Sequence, residues 1–267
     1  MQRPAPSRSG GLIGDVSART PVAVRGLRTV FGFLGRRVLG FRLELIGAEN
    51  LPRGADGGPS GGWIAAGLPH VTWIEPFVMT VLLPAEPRLI WFGDGRVIER
   101  SRWRRVLLPR LGGIVPIWPG GGPSAFDEHV EAVGRVVAAG AVFALFPEAG
   151  PPATPGSARP IAGGIGYFAL RSGAPVVPIV FGGTHELYRG RRIRMRVLPT
   201  PSWQQLAGLK ADARPPEKGT TADRDAAEAI AAGLHAYTAE AVAQEHAASE
   251  PAPGTRKRWR WLTHAFR

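Results

Sequence analysis

The sequence predicts an α/β fold in which a central mixed sheet is flanked by helices, with an amphipathic helix before the sheet and a helix after it. Three observations indicate this class. Short apolar runs bounded by Gly or Pro recur along the chain, a well-marked helix interrupts them, and helical patterns occupy both ends. With 267 residues, 44% of them hydrophobic, the chain is long enough to bury a sizeable core.

The first forty residues predict two segments. Residues 1–20 are rich in Pro, Ser, Gly and Arg and lack an apolar signal core, so we expect a disordered leader and no export. Residues 21–40 predict a basic amphipathic helix, which either lies on a membrane or caps a core. Its apolar side carries Val24, Leu27, Val30, Phe31, Leu34 and Val38, with arginines around the rest.

Seven strands and one helix follow, and together they predict an α/β domain over residues 41–205. Alternation predicts strands at 41–45 and at 192–197, the second with a strongly basic face. Continuous apolar runs predict strands buried on both faces at 62–66, 88–92, 113–117, 141–146 and 175–181. A helix is predicted over 124–139, with a capping-type start at Ser124 and Asp127 and a stop at Gly140. Pro175 and Pro178 predict that their strand is an edge or carries a bulge near a site.

The remaining chain divides into residues 206–248 and 249–267. The first segment predicts a loop over 208–225 and an alanine-rich helix over 226–247; the second is a short linker and a basic aromatic tail. In the tail, Trp259, Leu262 and Phe266 share a helical face surrounded by Lys and Arg, a composition that suits an anionic membrane or a nucleic acid. No nucleic-acid fold motif accompanies the tail, so the membrane is the favoured partner.

Composition and missing motifs exclude several function classes. The formal charge of +12 favours an anionic partner. The alternative is that the arginines are ordinary surface residues of an arginine-rich proteome. The absence of cysteine excludes disulfides and a thiol nucleophile, and it fits a reducing compartment. No Gly-x-Ser-x-Gly elbow occurs, the glycine run at 120–122 lacks a following Lys-Ser/Thr, and no apolar run is long enough to cross a bilayer. No cofactor or metal site is predicted, because no metal-ligand spacing links His129, His185, His235, His246 and His264.

His70 and Glu75 are the first candidate catalytic residues. Four residues separate them, just after the apolar run at 62–66, at a predicted strand-to-helix junction. Acyl transfer to an alcohol needs a base for the hydroxyl proton, and a nearby carboxylate fixes the tautomer of a histidine base and stabilises its charged form. The alternative is a structural histidine at the end of a strand.

Three further elements follow in order: Gly112–Ile117, the turn Phe146-Pro147-Glu148, and the strand that carries Pro175 and Pro178. The ordered set, which covers about residues 41–200, resembles the glycerolipid acyltransferase family that includes the bacterial lysophosphatidate (1-acylglycerol-3-phosphate) acyltransferases. The resemblance implies a glycerolphosphate-acyltransferase-like fold. It also implies transfer of an acyl group from acyl-CoA or acyl carrier protein to a lysophospholipid hydroxyl in phospholipid biosynthesis, by a cytoplasmic enzyme at the inner face of the cell membrane.

The resemblance also implies residue roles. His70 would be the general base, Glu75 would orient it, and no covalent acyl-enzyme forms. Glu148, in the turn with Phe146 and Pro147, would place the acceptor through a hydroxyl. Arg159 would hold a phosphate, unless it is a solvated loop charge.

The sequence departs from the family pattern mainly where cations are expected. Pro69 replaces the usual Asn and Glu75 the usual Asp. The segment 118–120 supplies no arginine, and Ala162 stands where lysine is common. Fewer cations bind a phosphomonoester less well. Two alternatives therefore stay open: the same chemistry on an acceptor without a phosphomonoester, and a non-catalytic lipid-binding relative.

Overall fold

The computed structural model describes residues 17–95, 113–117, 122–149 and 154–265. Within these ranges, seven strands form one mixed sheet in the order β1-β7-β6-β2-β5-β3-β4. The strands are β1 (Arg42–Ile46), β2 (Trp63–Leu68), β3 (Leu89–Asp94), β4 (Ile114–Ile117), β5 (Val142–Leu145), β6 (Val176–Gly182) and β7 (Arg192–Val197). Helices cover both faces of this sheet, so the predicted α/β class with a central mixed sheet is confirmed.

Strand direction gathers several loops at one edge of the sheet. β2 runs parallel to its two neighbours, β5 and β6, and β3 and β4 continue the parallel set. β7 is antiparallel to β6 and parallel to β1. Because the carboxyl ends of parallel strands meet at one edge, the loops that follow β2, β5 and β6 lie side by side.

The helices form two layers around the sheet. They are α1 (Val22–Phe33, extended by a π-helical turn Leu34–Val38), α2 (Ile74–Leu82), α3 (Gly122–Ala138), α4 (Gly164–Ser172), α5 (Trp203–Leu206), α6 (Thr221–Ser249) and α7 (Leu262–Ala265). One core joins residues of α3, α4 and α6 to one face of the sheet, and a second joins α2 and Leu262 to the other face. None of the helices in these ranges is long and apolar enough to cross a membrane.

α1 packs on α2 rather than directly on the sheet. Phe31 meets Phe77 edge to face, with ring centroids 5.0 Å apart. Arg28 donates to the carbonyl oxygen of Pro84 at 3.2 Å and to that of Leu83 at 2.5 Å, beyond the end of α2. The amphipathic helix predicted over 21–40 therefore exists, and one side of it rests on α2.

The end of the predicted leader is attached to the domain. The backbone N–H of Thr20 donates to the Glu86 carboxylate at 2.9 Å, and that of Arg88 donates to the Ala18 carbonyl oxygen at 2.7 Å. Thr20 is buried. Disorder is thus the wrong expectation for residues 18–20, while residues 1–16 lie outside the described ranges.

The strand with two prolines is interior, so the prediction of an edge or bulge is wrong. β6 pairs with β2 on one side and β7 on the other. Pro175 precedes the strand, and the Pro178 carbonyl oxygen accepts from Leu198 N–H just past the end of β7. In a strand the nitrogen and carbonyl of one residue point to the same side. An N–H at Pro178 would therefore point toward β7, at the position where β7 ends. Its absence removes no hydrogen bond from the pairing with β2.

The long helix α6 begins earlier than the alanine pattern predicts. It starts at Thr221 rather than at 226, because the Thr220 hydroxyl accepts from the backbone N–H of Asp223 and caps it. Part of the predicted loop 208–225 is therefore helical. The cap extends the helix through polar residues that carry no apolar periodicity.

The basic face of β7 is neutralised within the protein. Arg194 Nε lies 2.8 Å from Glu245 Oε2, and Arg196 Nε lies 2.5 Å from Glu245 Oε1. Glu245 projects from α6 and is fully buried. The nearby Arg192 pairs with Glu44 of β1 at 3.1 Å, at a more exposed position. These arginines fasten β7 to α6 and β1 and are not an open anion-binding surface.

The tail does not present the predicted continuous helical face. Trp259 has a positive φ of 63°, and the helix begins only at Leu262. Leu262 is buried in the second core, and the Thr263 hydroxyl accepts from Leu187 N–H at 2.8 Å. The prediction that Leu262 shares a membrane-facing surface with Trp259 is therefore wrong. Leu262 is buried in the core, while the neighbouring Trp261 is exposed. Phe266 lies outside the described residues.

Candidate active site

Glu75 is held rigidly beneath the loop that follows β2. It lies in the first turn of α2 and is fully buried. Its carboxylate accepts from the backbone N–H of Thr72 at 2.9 Å and from the Thr72 hydroxyl at 3.2 Å. These hydrogen bonds fix the position of the carboxylate. The longer side chain in place of aspartate is thus accommodated by the loop itself.

His70 faces this carboxylate with one edge of its ring. Its Nδ1 is 3.4 Å from Glu75 Oε2, while 39% of the side chain remains exposed. Contact at Nδ1 leaves Nε2, on the opposite edge of the imidazole, for another partner. The structure therefore brings together the two residues that the sequence paired, and it leaves the histidine partly open to solvent.

Phe146, at the end of β5, supports the imidazole from one side. The two rings stack with centroids 4.2 Å apart and planes 20° apart. Gly67 on the adjacent β2 makes room for Phe146, because a Cβ at position 67 would lie 2.5 Å from Phe146 Cε1. The sequence did not single out Gly67. Its role depends on which strand is the neighbour of β2.

Glu148 and Arg159 close around the backbone of His70. Glu148 Oε2 accepts from the His70 N–H at 2.6 Å and from Arg159 Nη2 at 2.8 Å. The same Nη2 also donates to the His70 carbonyl oxygen. The Glu148 side chain is 2% exposed and that of Arg159 is 13% exposed, so Arg159 is not a solvated loop charge.

A short pairing holds the Phe146-Pro147-Glu148 turn against the segment that carries Arg159. Glu148 forms an antiparallel bridge with Ile161, and the Pro147 carbonyl oxygen accepts from Ala162 N–H at 2.9 Å. His235 Nδ1, from α6, lies 2.9 Å from the Arg159 carbonyl oxygen. His235 is a supporting residue that the sequence did not identify, since it is 76 positions from Arg159.

A cleft opens beside His70. Its cavity volume is about 60 Å³, and it is open to solvent. His70 and Arg159 line it, together with segment 154–157, the end of β6 and His246 of α6. The exposed part of His70 therefore adjoins a space that a ligand can enter.

The same cleft has a second polar cluster. His185, in the loop after β6, and His246, near the end of α6, both approach Glu250. Burial lowers the pKa of His185, and the charges of Arg191 and His246 lower that pKa further, against the opposing effect of Glu250 and Glu186. Sequence spacing gave no sign of this cluster, because 61 positions separate the two histidines.

Comparisons with known proteins find similarity in structure but none in sequence. No protein-family model matches the chain, and no curated protein sequence matches it. Among solved structures, the chain is similar to the 1-acyl-sn-glycerophosphate (LPA) acyltransferase PlsC from Thermotoga maritima. The sequence identity is 16% and the TM-score 0.49, over 87% of this chain and 82% of that chain.

Proposed function

We propose that the protein is an O-acyltransferase that moves an acyl group from acyl-CoA or acyl carrier protein to the hydroxyl of a lysophospholipid, with His70 as the general base. One observation carries the proposal. A partly exposed imidazole adjoins a cleft, and its Nδ1 lies 3.4 Å from a buried carboxylate. This arrangement suits a base that must accept a proton and then give it up.

The proposed reaction uses the His70 imidazole, the Glu75 carboxylate and the two substrates. In the proposed mechanism the proton on Nδ1 faces Glu75, so Nε2 is free to take the hydroxyl proton of the acceptor as its oxygen attacks the thioester carbonyl carbon. The tetrahedral intermediate then breaks its carbon–sulfur bond. The leaving thiolate receives the proton from the imidazolium, so an ester and a free thiol are formed and His70 returns to its starting state.

In this proposal Glu148 and Arg159 position His70. Their contacts are to the backbone N–H and carbonyl of His70, so they fix where its ring stands. Glu148 Oε1 is buried and has no hydrogen-bond partner among the described residues, so an acceptor hydroxyl would reach it only after a movement of the turn. Phe146 and Pro147 contribute the stacking ring and the fixed turn.

The second candidate is the same reaction on an acceptor without a phosphomonoester. Arg159 lines the cleft, but Glu148 already balances its charge at 2.8 Å. A paired cation attracts a phosphate less than a free one does. The absence of lysine at Ala162 points the same way.

A panel of acceptors tests both candidates. Purified full-length protein is incubated with acyl-CoA or acyl carrier protein and with lysophosphatidate, lysophospholipids that carry a phosphodiester headgroup, or monoacylglycerol. Mass spectrometry identifies the ester. We expect ester formation with lysophosphatidate; clear preference for an acceptor without a phosphomonoester establishes the second candidate. Lipid binding without ester from any pair would contradict both and favour a non-catalytic lipid-binding protein.

We further propose that α1 and the start of α2 place this cleft next to an anionic membrane. Exposed apolar side chains lie on both elements: Val22, Val30, Phe33, Leu34 and Val38 from α1 and its π-helical turn, Trp73 just before α2, and Phe77 within α2. Arg25, Arg36 and Arg37 are exposed among them. Apolar side chains surrounded by cations are typical of helices that bind anionic lipid surfaces. A lipid acceptor would then reach His70, which precedes α2, from the membrane.

The α1 surface predicts how membrane binding responds to substitution. Phe33→Ser is expected to weaken binding to anionic liposomes about tenfold or more, because full burial of such a side chain contributes about 1.5–3 kcal/mol. Co-sedimentation at several salt concentrations measures the effect. Leu209→Ser is the matched control, since Leu209 is also exposed but lies in the loop after α5. Equal binding by the two variants, or stronger binding to DNA than to liposomes, would contradict this orientation.

A further inference from the structure

Three side chains from separate parts of the chain converge beside the cleft. His185 Nε2 lies 3.6 Å from Glu250 Oε1, and His246 Nε2 lies 3.4 Å from the same oxygen. The three potential ligand atoms are all within 4.8 Å of one another. Neither imidazole belongs to the proposed acyl-transfer machinery.

The spacing fits the ligand shell of a small divalent metal. Zn²⁺ binds imidazole nitrogen and carboxylate oxygen at about 2.0–2.1 Å, so two ligands of a tetrahedral site stand about 3.3 Å apart. The two histidine–glutamate distances are close to this value. The histidine–histidine separation is at most 4.8 Å, and a shift of about 1.5 Å by one imidazole closes it.

The surroundings restrict the three side chains without sealing the site. Glu250 follows His246 by one helical turn at the end of α6. Segment 154–157 passes against His246, since a Cβ at Gly156 would lie 2.6 Å from the imidazole Cδ2. His185 and His246 both line the cleft. Two imidazoles and one carboxylate with one open position form the ligand set of some catalytic zinc sites.

We propose that His185, His246 and Glu250 bind one Zn²⁺ ion, whose fourth position faces the cleft and takes water or an anionic oxygen. This proposal departs from the prediction of no metal site made from the sequence, because sequential spacing cannot show ligands that come from two distant elements. The proposal does not depend on acyl transfer, because its ligands are distinct from His70 and Glu75.

Direct metal binding tests the proposal. Tag-free full-length protein is stripped with a chelator, dialysed and titrated with Zn²⁺, and bound metal is counted per chain. We expect one ion per chain and a rise in the unfolding temperature on binding. Co²⁺ in place of Zn²⁺ is expected to give the visible absorption of a four-coordinate complex.

Variants assign the ligands. His185→Ala and His246→Ala are each expected to weaken Zn²⁺ binding at least tenfold, and Glu250→Gln, which keeps the side-chain volume, is expected to weaken it in the same direction. His264→Ala is the matched control, because His264 is exposed on α7 and is not one of the three proposed ligands. No stoichiometric binding by the unaltered protein overturns the proposal. So does binding that is undiminished in both His185→Ala and folded Glu250→Gln.

Discussion

Replacing His70 with alanine is expected to lower kcat for acyl transfer by about 10²- to 10⁴-fold, the usual contribution of a positioned general base. The imidazole is the only part of His70 that the change removes. The backbone contacts to Glu148 and Arg159 persist, so the loop should keep its shape. Because the side chain is partly exposed, we expect only a small loss of stability.

Thiol release from acyl-CoA in the presence of the preferred acceptor measures this effect. His264→Ala serves again as the control, because it removes an exposed histidine from α7. Glu75→Gln keeps the volume of the buried side chain but removes its charge, so it is expected to lower kcat without raising KM to the same degree. A His70→Ala rate within a few-fold of that of the unaltered protein would show that His70 is a structural residue.

Glu245→Gln is expected to lower the free energy of unfolding by about 3 kcal/mol, within the range for breaking a buried ion pair from one side. Glu245 is fully buried, and its two oxygens contact Arg194 and Arg196 at 2.8 and 2.5 Å. The amide has no charge to balance the two guanidinium groups, which lie between α6 and β7. The substitution therefore weakens the contact between α6 and β7, which lowers the stability of the protein.

Urea unfolding of the unaltered protein and of Glu245→Gln measures the difference in their free energies of unfolding. The neighbouring ion pair supplies a control. Glu44→Gln removes the partner of Arg192 on the same strand, but that pair is more than one-third exposed on both sides. Exposed pairs contribute about 0–1 kcal/mol, so this variant should unfold close to the unaltered protein. Equal destabilisation by the two substitutions would mean that the Glu245 contacts do not hold α6 to β7.

The strands were predictable because each is marked locally. Alternation identified β1 and β7, and apolar runs between Gly and Pro identified the five others, with ends within a few residues of those observed. The interior position of β6 was not predictable from Pro178. Whether a missing N–H weakens a ladder depends on where the neighbouring strand ends, which the sequence of β6 does not contain.

The candidate site was predictable in its members but not in their contacts. The order of the motifs that contain His70, Glu75, Phe146, Pro147 and Glu148, through its resemblance to a known family, singled these residues out. The clamp of Glu148 and Arg159 on the His70 backbone depends on two loops meeting at one sheet edge. The tail also could not be placed from its sequence. Its composition suits a lipid surface, but Leu262 is buried in the core.

The central claim is that the acyl group passes directly from thioester to lipid, with His70 as the general base. Following a labelled acyl group through a single turnover tests this claim most closely. Protein in excess over acyl-labelled CoA thioester is mixed with the preferred acceptor, and label is measured over time in thioester, protein, lipid ester and free fatty acid. We expect label to pass from thioester to lipid ester without accumulating on the protein, and to do so about 10²- to 10⁴-fold more slowly in His70→Ala. Label that accumulates covalently on the protein, appears only as free fatty acid, or reaches the lipid equally fast without His70 would contradict this claim.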